Sequence, residues 1–186
     1  MKSELEKSLE VLKSGGLILY PTDTVWGIGC DASNKESVKR IYAIKKRDDS
    51  KALVCLVNSI TMLKNHIADV PDIVLKILDQ TEKPTTVIYN KPVGIAKNLI
   101  AHNDTLAIRI VNHEFCKELI SRFGKPIVST SANISGEPTP KSFAEISQPI
   151  LKGVDYVVNL QKEKIATKAS TIIKVEQNGE IQVIRD

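Results

Sequence analysis

Short apolar runs alternate with amphipathic segments along most of this 186-residue chain. Leu17–Tyr20, Thr85–Tyr89 and Leu106–Val111 have the length of buried strands, and between such runs apolar residues recur at helical spacing. A chain of this kind covers the faces of a sheet with helices. The alternation therefore predicts an α/β fold.

The C-terminal part of the chain departs from this alternation. Thr171–Val175 and Ile181–Ile184 flank Asn178-Gly179, a dipeptide typical of a tight hairpin turn. We therefore expect a twisted mixed sheet, with parallel and antiparallel strands, flanked by helices. One domain over residues 1–186 is expected, because a chain of this length buries about 70% of its extended surface and can build a full core.

Several classes of protein are disfavoured by simple patterns. No run approaches the roughly 18 apolar residues of a membrane helix, so no membrane association is expected. The N-terminus is acidic and amphipathic, unlike a secretory signal. Cys30, Cys55 and Cys116 show no CxxC spacing, which favours reduced core thiols in a cytoplasmic protein.

Charge is concentrated in one segment. The chain has a net charge of +4, and Lys35–Lys51 alone has seven basic and three acidic residues. Capping boxes at Ser3-x-x-Glu6 and Ser33-x-x-Glu36 predict two helix starts, the second opening this basic segment. The segment is either a solvated helix face or a surface that meets phosphates.

Three polar clusters follow predicted strands or helices. They are Pro21–Thr24, the set Lys45, Arg47 and Lys51, and Ser129–Gly136. Ligands of α/β sheets bind at strand ends, and hydroxyl, amide and basic groups suit phosphate or carboxylate. Each cluster also has a plain structural interpretation, respectively a turn, a basic helix C-terminus and a polar loop.

Two arginines interrupt apolar strands. Arg109 is the single charge in Leu106–Val111, and Arg185 is the second-last residue of the chain. Each either faces solvent or binds an anion, and a buried arginine must be paired.

Familiar catalytic signatures are mostly missing. The chain has no G-x-x-x-x-G-K-[ST] segment, and Gly27-x-Gly29 lacks the third glycine of a dinucleotide fingerprint. His66, His102 and His113 have no metal-ligand spacing. Any enzymatic function therefore depends on the polar clusters.

In their order along the chain, these clusters resemble the YrdC-like family, the L-threonylcarbamoyladenylate synthases. The resembling segments are Leu19–Gly29, Ile44–Arg47, Lys51–Leu53, Pro84–Thr86, Leu106–Arg109, Ser129–Gly136, Ser170–Ile172 and Ile184–Arg185. The family's K-x-R and S-x-N signature is matched by Lys45-x-Arg47 and Ser131-x-Asn133.

The resemblance implies a YrdC/RibB-like fold with a concave basic cavity. It also implies a reaction that joins L-threonine, bicarbonate or CO2, and ATP into threonylcarbamoyl-AMP and releases pyrophosphate, with Mg²⁺ accompanying ATP. The product would pass to the tRNA threonylcarbamoyl-transfer machinery, which modifies the adenosine next to the anticodon.

The resemblance also implies residue roles. The catalytic residues would be Lys45, Arg47, Ser131 and Asn133. ATP would contact Arg47, Lys51, Thr105, Ser131, Thr139 and Arg185. L-threonine would contact Thr24, Arg109, Ser129 and Ser170, with Arg109 on its carboxylate. No protein ligands for a metal are implied.

The chain departs from the family pattern at several positions. Asp48 and Val111 replace common prolines, Leu56 stands where some relatives have a histidine, and Glu82-Lys83-Pro84 replaces Pro-Gly-Pro.

Two other functions share features with this chain. A non-catalytic, ribosome-associated RNA-binding module would suit the basic segment, but aromatics are only 4% of the chain. The carbamoyl-transfer domain of hydrogenase maturation proteins belongs to longer chains with zinc-finger-like cysteines, which are missing here.

Overall fold

The computed structural model describes residues 1–47, 53–166, 168–176 and 180–186. In these ranges it contains six α-helices and nine strands. The helices are α1 (Lys2–Lys13), α2 (Lys35–Lys45), α3 (Ile60–His66), α4 (Asp72–Gln80), α5 (Glu114–Phe123) and α6 (Gln148–Gly153). The strands are β1 (Ile18–Tyr20), β2 (Gly27–Gly29), β3 (Val54–Val57), β4 (Thr85–Asn90), β5 (Thr105–Ile110), β6 (Ile127–Ser131), β7 (Tyr156–Val157), β8 (Thr171–Val175) and β9 (Ile181–Arg185).

The strands form one mixed sheet in the order β7-β1-β2-β6-β3-β5-β4-β8-β9. The pairs β1–β7, β3–β5 and β4–β8 are parallel, and the other neighbours are antiparallel. The expected α/β fold with a mixed sheet is confirmed.

Two apolar layers hold the helices to the sheet. On one face, Leu12 of α1 and Phe115 and Leu119 of α5 pack with Leu56 and Ile127 of the sheet. The other face has a larger cluster, which includes α2 and Trp26. Each fully buried side chain of this size contributes about 1.5–3 kcal/mol, so both layers are needed to hold the sheet in place.

The first layer ends where polar residues begin. Leu56 pairs with Arg109, which in turn pairs with Thr86, so these side chains share one face of the sheet. Ser129 lies two residues beyond Ile127 on β6 and therefore points the same way. The face that is apolar beneath α5 thus continues as a polar surface over β6, β5 and β4.

Both predicted capping boxes are wrong. Helix α1 begins at Lys2, so Ser3 lies inside it, and Met1 provides no side-chain cap. Helix α2 is capped by Asn34, whose Oδ1 accepts from the backbone N–H of Glu36 at 3.0 Å. Asn caps a helix as well as Ser does, and the Ser33 hydroxyl donates instead to Asp31.

Other elements differ in length from the prediction. Strand β2 was not expected, because glycine is poor in strands. The sequence pattern over 93–100 predicts a short helix, but the structure has only a 3-10 turn there, Lys97–Leu99. The pattern over 141–151 predicts a helix and that over 155–160 a strand. The structure has a 3-10 turn followed by α6 in the first range and the two-residue strand β7 in the second. The predicted turn at 178–179 lies outside the described residues.

The cysteines occupy the core as expected. Cys30, Cys55 and Cys116 are buried and free, and burial raises the pKa of each thiol. Among the described helices, none combines the length and the apolar character needed to cross a bilayer.

Gly29 lies where the sheet leaves no room for a side chain. A Cβ there would come within 2.6 Å of both the Tyr20 ring and the Val128 carbonyl oxygen. We expect Gly29→Ala to lower the free energy of unfolding by about 1–3 kcal/mol, measured by chemical denaturation, because ring and backbone would have to shift. Gly124→Ala is the comparison. Its Cβ meets nothing within 4 Å, and only its positive φ of 73° opposes the change. A Gly29→Ala protein as stable as the wild type would contradict this packing.

Candidate active site

A cavity of about 200 Å³ opens on the polar part of the sheet face. Its lining comes from the loop before β2, the end of α2, the strands β3, β5, β6 and β8, and the end of β9. The lining residues are Thr24, Val25, Gly27, Arg47, Leu53, Val54, Arg109, Ser129, Thr130, Ser131, Thr139, Ala169, Ser170, Ile172 and Arg185. Eight of the residues predicted from the sequence are among them.

Three arginines of this lining give the cavity its charge. Arg47, Arg109 and Arg185 reach it from three different parts of the chain, and the described lining includes no carboxylate. Burial, together with the charge of Arg109, lowers the pKa of Arg185. Guanidinium groups around a cavity of hydroxyls favour an anionic ligand with several oxygens.

Arg109 is buried and paired. Its guanidinium forms an ion pair with Asp23, and its Nη2 lies 3.4 Å from the Thr24 hydroxyl. The other oxygen of Asp23 accepts from the backbone N–H of Asn112 at 3.0 Å. Asp23 belongs to the predicted Pro21–Thr24 cluster but was not among the predicted site residues. Its position next to Thr24 in that cluster was the sequence feature that could have identified it as a site residue.

Lys45 lies beneath the cavity instead of lining it. Its side chain is almost fully buried, and Nζ donates to the carbonyl oxygens of Ser131 and Asn133 at 2.5 and 2.6 Å. In return, the backbone N–H of Ser135 donates to the Lys45 carbonyl at 2.8 Å. Burial, with a smaller effect of the charge of Arg47, lowers the pKa of Lys45 to about 8. Lys45 therefore ties the end of α2 to the loop that follows β6.

Asn133 also acts within this loop. Its Nδ2 donates to the carbonyl oxygens of Ile134 and Glu137 at 3.0 and 2.8 Å. Its Oδ1 is buried and has no hydrogen-bond partner among the described residues. Each signature motif is thus divided between two tasks. Arg47 and Ser131 face the cavity, whereas Lys45 and Asn133 shape its wall.

Lys46 sets the direction of Arg47. It ends α2 in the left-handed conformation, with φ 48° and ψ 42°. The Arg47 backbone N–H then donates back to the Tyr42 carbonyl at 3.0 Å, which closes the helix end. The chain leaves α2 at this point, and the next residue lines the cavity.

Arg185 follows an irregularity in strand β9. Ile172 pairs with Arg185 but Ile173 pairs with Val183, so Ile184 is an extra residue in β9. A bulge of this kind reverses the side on which the following residue points. Arg185 then donates from Nη2 to the Ser170 carbonyl at 2.8 Å.

Ser170 connects Thr86 of β4 with Arg185 of β9. Its hydroxyl forms a hydrogen bond of 2.8 Å with the Thr86 hydroxyl, and it also lies 3.3 Å from Nη2 of Arg185. Ser170 is 6% exposed, so this contact is mostly shielded from water.

One predicted ligand is not brought to this cavity, and another lies outside the described residues. Thr105 begins β5 opposite Asn90, and its hydroxyl donates to Asn103 at 2.7 Å. It lies on the same strand face as Arg109 but four residues away, about 13 Å along the strand. Lys51 lies outside the described residues. Leu56, at the place of the histidine in some relatives, is fully buried in the α1–α5 layer.

Comparison with known proteins identifies the family. The Sua5/YciO/YrdC family model, described as "Telomere recombination", matches residues 10–186. A threonylcarbamoyl-AMP synthase of Pseudoalteromonas translucida is 35% identical over 97% of both chains. A putative threonylcarbamoyl-AMP synthase of Methanocaldococcus jannaschii is 36% identical over 98% of this chain and 87% of its own.

A solved structure agrees with these sequence matches. P. abyssi Sua5 complexed with L-threonine superposes with a TM-score of 0.89 and 25% identity over the whole of this chain. This chain spans 54% of that Sua5 chain, whereas it spans 97% and 87% of the two curated relatives. The chain described here belongs to the Sua5/YciO/YrdC family.

Proposed function

We propose that this protein is a threonylcarbamoyl-AMP synthase, which joins L-threonine, bicarbonate or CO2, and ATP and releases pyrophosphate. The observation that carries the proposal is the cavity, where three arginines and several hydroxyls meet with no carboxylate in the described lining. Relatives of that name match almost the whole chain.

The proposed chemistry needs positioning and charge neutralisation. The threonine amine adds to CO2 and loses a proton, which gives a carbamate. A carbamate oxygen then attacks the α-phosphorus of ATP, and the bond to pyrophosphate breaks. Nucleophile and triphosphate are both anionic, so the protein must offset their repulsion and align them, and no protein nucleophile is needed.

The cavity residues divide between the two substrates. Arg47 and Arg185 would neutralise the phosphates, with the hydroxyls of Ser131 and Thr139 as further donors. The carboxylate of L-threonine would pair with Arg109, and Thr24, Ser129 and Ser170 would surround the rest of the amino acid. Arginine suits both tasks, because its planar fork donates two parallel hydrogen bonds to phosphate or carboxylate.

Four of the predicted site residues are not part of the described cavity lining, and different roles are proposed for them. Lys45 and Asn133 support catalysis by holding the loop that presents Ser131. Lys51 stays in the proposal as an ATP ligand because of the family resemblance. Thr105 is proposed for the far end of the nucleotide, since it lies on the same face of β5 as Arg109.

The proposal also covers the metal ion, the downstream partner and the cellular location. In the described part of the chain no group of three or more His, Cys, Asp or Glu side chains is placed to hold a metal. Mg²⁺ would therefore enter with the phosphates of ATP, where it offsets their charge. The product would be consumed by the tRNA threonylcarbamoyl-transfer machinery, and three buried free thiols suit work in the cytoplasm.

The reaction itself gives the first test. We expect the purified protein to release pyrophosphate from ATP only when L-threonine and bicarbonate are both present, measured by a coupled pyrophosphate assay. The carbamate is the nucleophile, so leaving out either of its precursors should reduce release to background. Formation of ADP and phosphate, or release without threonine, would contradict the proposed function.

Arg47 provides the second test. Arg47→Ala should lower kcat/KM by roughly 10²-fold or more, because a charged donor is lost where negative charge develops. Lys39→Ala is the matched control, since Lys39 is an exposed cation of α2 outside the cavity. We expect it to retain nearly full activity.

Equal effects of these two substitutions would instead indicate a diffuse basic surface. That result would favour the RNA-binding alternative. RNA binding measured over a range of salt concentrations would then show a steep loss of affinity.

Lys45 gives a test of stability against pH. The unfolded chain keeps the ordinary lysine pKa of 10.5, while the folded protein lowers it to about 8. Between these values the unfolded state holds more protons, so the contribution of Lys45 to the free energy of unfolding rises with pH. Relative to Lys45→Met, the wild-type free energy of unfolding should rise by about 2 kcal/mol between pH 7.5 and 10 in urea titrations. A constant difference across this interval would show that the Lys45 pKa is not lowered.

A further inference from the structure

Asp23 forms the most deeply buried ion pair in the described part of the chain. The side chains of Arg109 and Asp23 are 4% and 9% exposed. Removing two charges from water is costly, and a buried pair of this kind often stabilises a fold no better than apolar residues would. Stability alone therefore does not account for the pair, and its place beside the cavity suggests another role.

The carboxylate of Asp23 is held from both sides. One oxygen pairs with Nη1 of Arg109, and the other accepts from the backbone N–H of Asn112 at 3.0 Å. Asp23 is not among the residues that line the cavity, whereas Arg109 and Thr24 are. Asp23 therefore acts on Arg109 and not directly on a ligand in the cavity.

The pairing leaves the other edge of the Arg109 guanidinium without a close hydrogen-bond partner among the described residues. Nη1 is engaged by Asp23, and Nη2 has a long contact of 3.4 Å with the Thr24 hydroxyl. Nε is buried and has no hydrogen-bond partner among the described residues. Nε and Nη2 form one planar fork, which matches the two oxygens of a carboxylate.

We propose that Asp23 is a positioning residue, which fixes Arg109 so that its Nε–Nη2 edge receives the carboxylate of the amino-acid substrate. This proposal rests on the proposed function, because it assigns the anion at Arg109 to L-threonine. Without Asp23 the guanidinium can rotate toward the phosphates or toward the Thr24 side of the cavity, and the carboxylate loses its paired donors. The role is selective for the amino acid, since the two oxygens of the Asp23 carboxylate bond to Arg109 and to the Asn112 backbone.

The test combines a change in the protein with a change in the substrate. Asp23→Asn keeps the shape of the side chain and removes its charge. L-threoninamide keeps the amine, hydroxyl and methyl group of L-threonine and lacks only the carboxylate. Pyrophosphate release with each substrate, and binding of each by calorimetry, are measured for the wild type and the variant.

We expect kcat/KM for L-threonine to fall about 10-fold or more in Asp23→Asn. The values for L-threoninamide and the KM for ATP should stay within about twofold of the wild type. A merely structural defect would lower the values for both amino-acid substrates together, and that result would overturn the proposal. Binding of L-threonine as tight as in the wild type would also overturn it.

Asp31→Asn is the matched control. Asp31 is a similarly shielded carboxylate, 10% exposed, and its Oδ2 lies 2.9 Å from Nζ of Lys125. Neither residue lines the cavity. Loss of the Asp31 carboxylate should change neither substrate's kinetics.

Asp23→Glu keeps the charge and is used for the same comparison if Asp23→Asn does not fold. A smaller selective loss is expected for it. If wild-type protein binds neither amino acid and releases no pyrophosphate, the proposed function fails, and the role of Asp23 fails with it. Wild-type turnover with equal losses in the variant overturns the Asp23 proposal alone.

Discussion

The two hydrogen bonds from the Lys45 ammonium group to the Ser131 and Asn133 carbonyls connect the two halves of the proposed site. Helix α2 packs on one face of the sheet, whereas the cavity opens on the other. The end of α2 and the loop after β6 meet at the C-terminal end of β6, and a buried charge holds them together there. Because Arg47 lies two residues beyond Lys45, this connection fixes the position of Arg47 relative to Ser131.

The cavity concentrates positive charge without an internal counter-charge in its described lining. Burial lowers the pKa of Arg185, and repulsion from Arg109 lowers it further. Asp23 offsets part of this charge from behind the wall. An anion that binds in a cavity of this kind stabilises the folded state, since it relieves the repulsion. Binding of an anion in the cavity should therefore raise the free energy of unfolding.

The sequence predicted the sheet and most of the cavity, because both depend on local patterns. Apolar runs of the sequence coincide with eight of the nine described strands, and Arg109 stands out as the lone charge of its strand. The partner of Arg109 was not predicted, since Asp23 lies 86 residues away and only the fold brings them together. Lys45 was predicted to contact phosphate because it belongs to the basic K-x-R motif. The motif does not show that the Lys45 side chain is buried. Strand β2 was not predicted because Gly29 is required by its close packing against Tyr20 and Val128, and local strand propensity does not show such packing.

The bulge at Ile184 makes the last strand tolerant of a change in length at one point. Val183 pairs with Ile173 and Arg185 pairs with Ile172, so Ile184 has no opposite residue in β8. A chain that lacked this residue would pair regularly, and its arginine would still lie opposite Ile172. Loss of one residue from β8 would instead shift the register and turn the arginine away. Related chains can therefore differ by one residue here and keep the same cavity, so an alignment gap at this position need not mean that the arginine is missing.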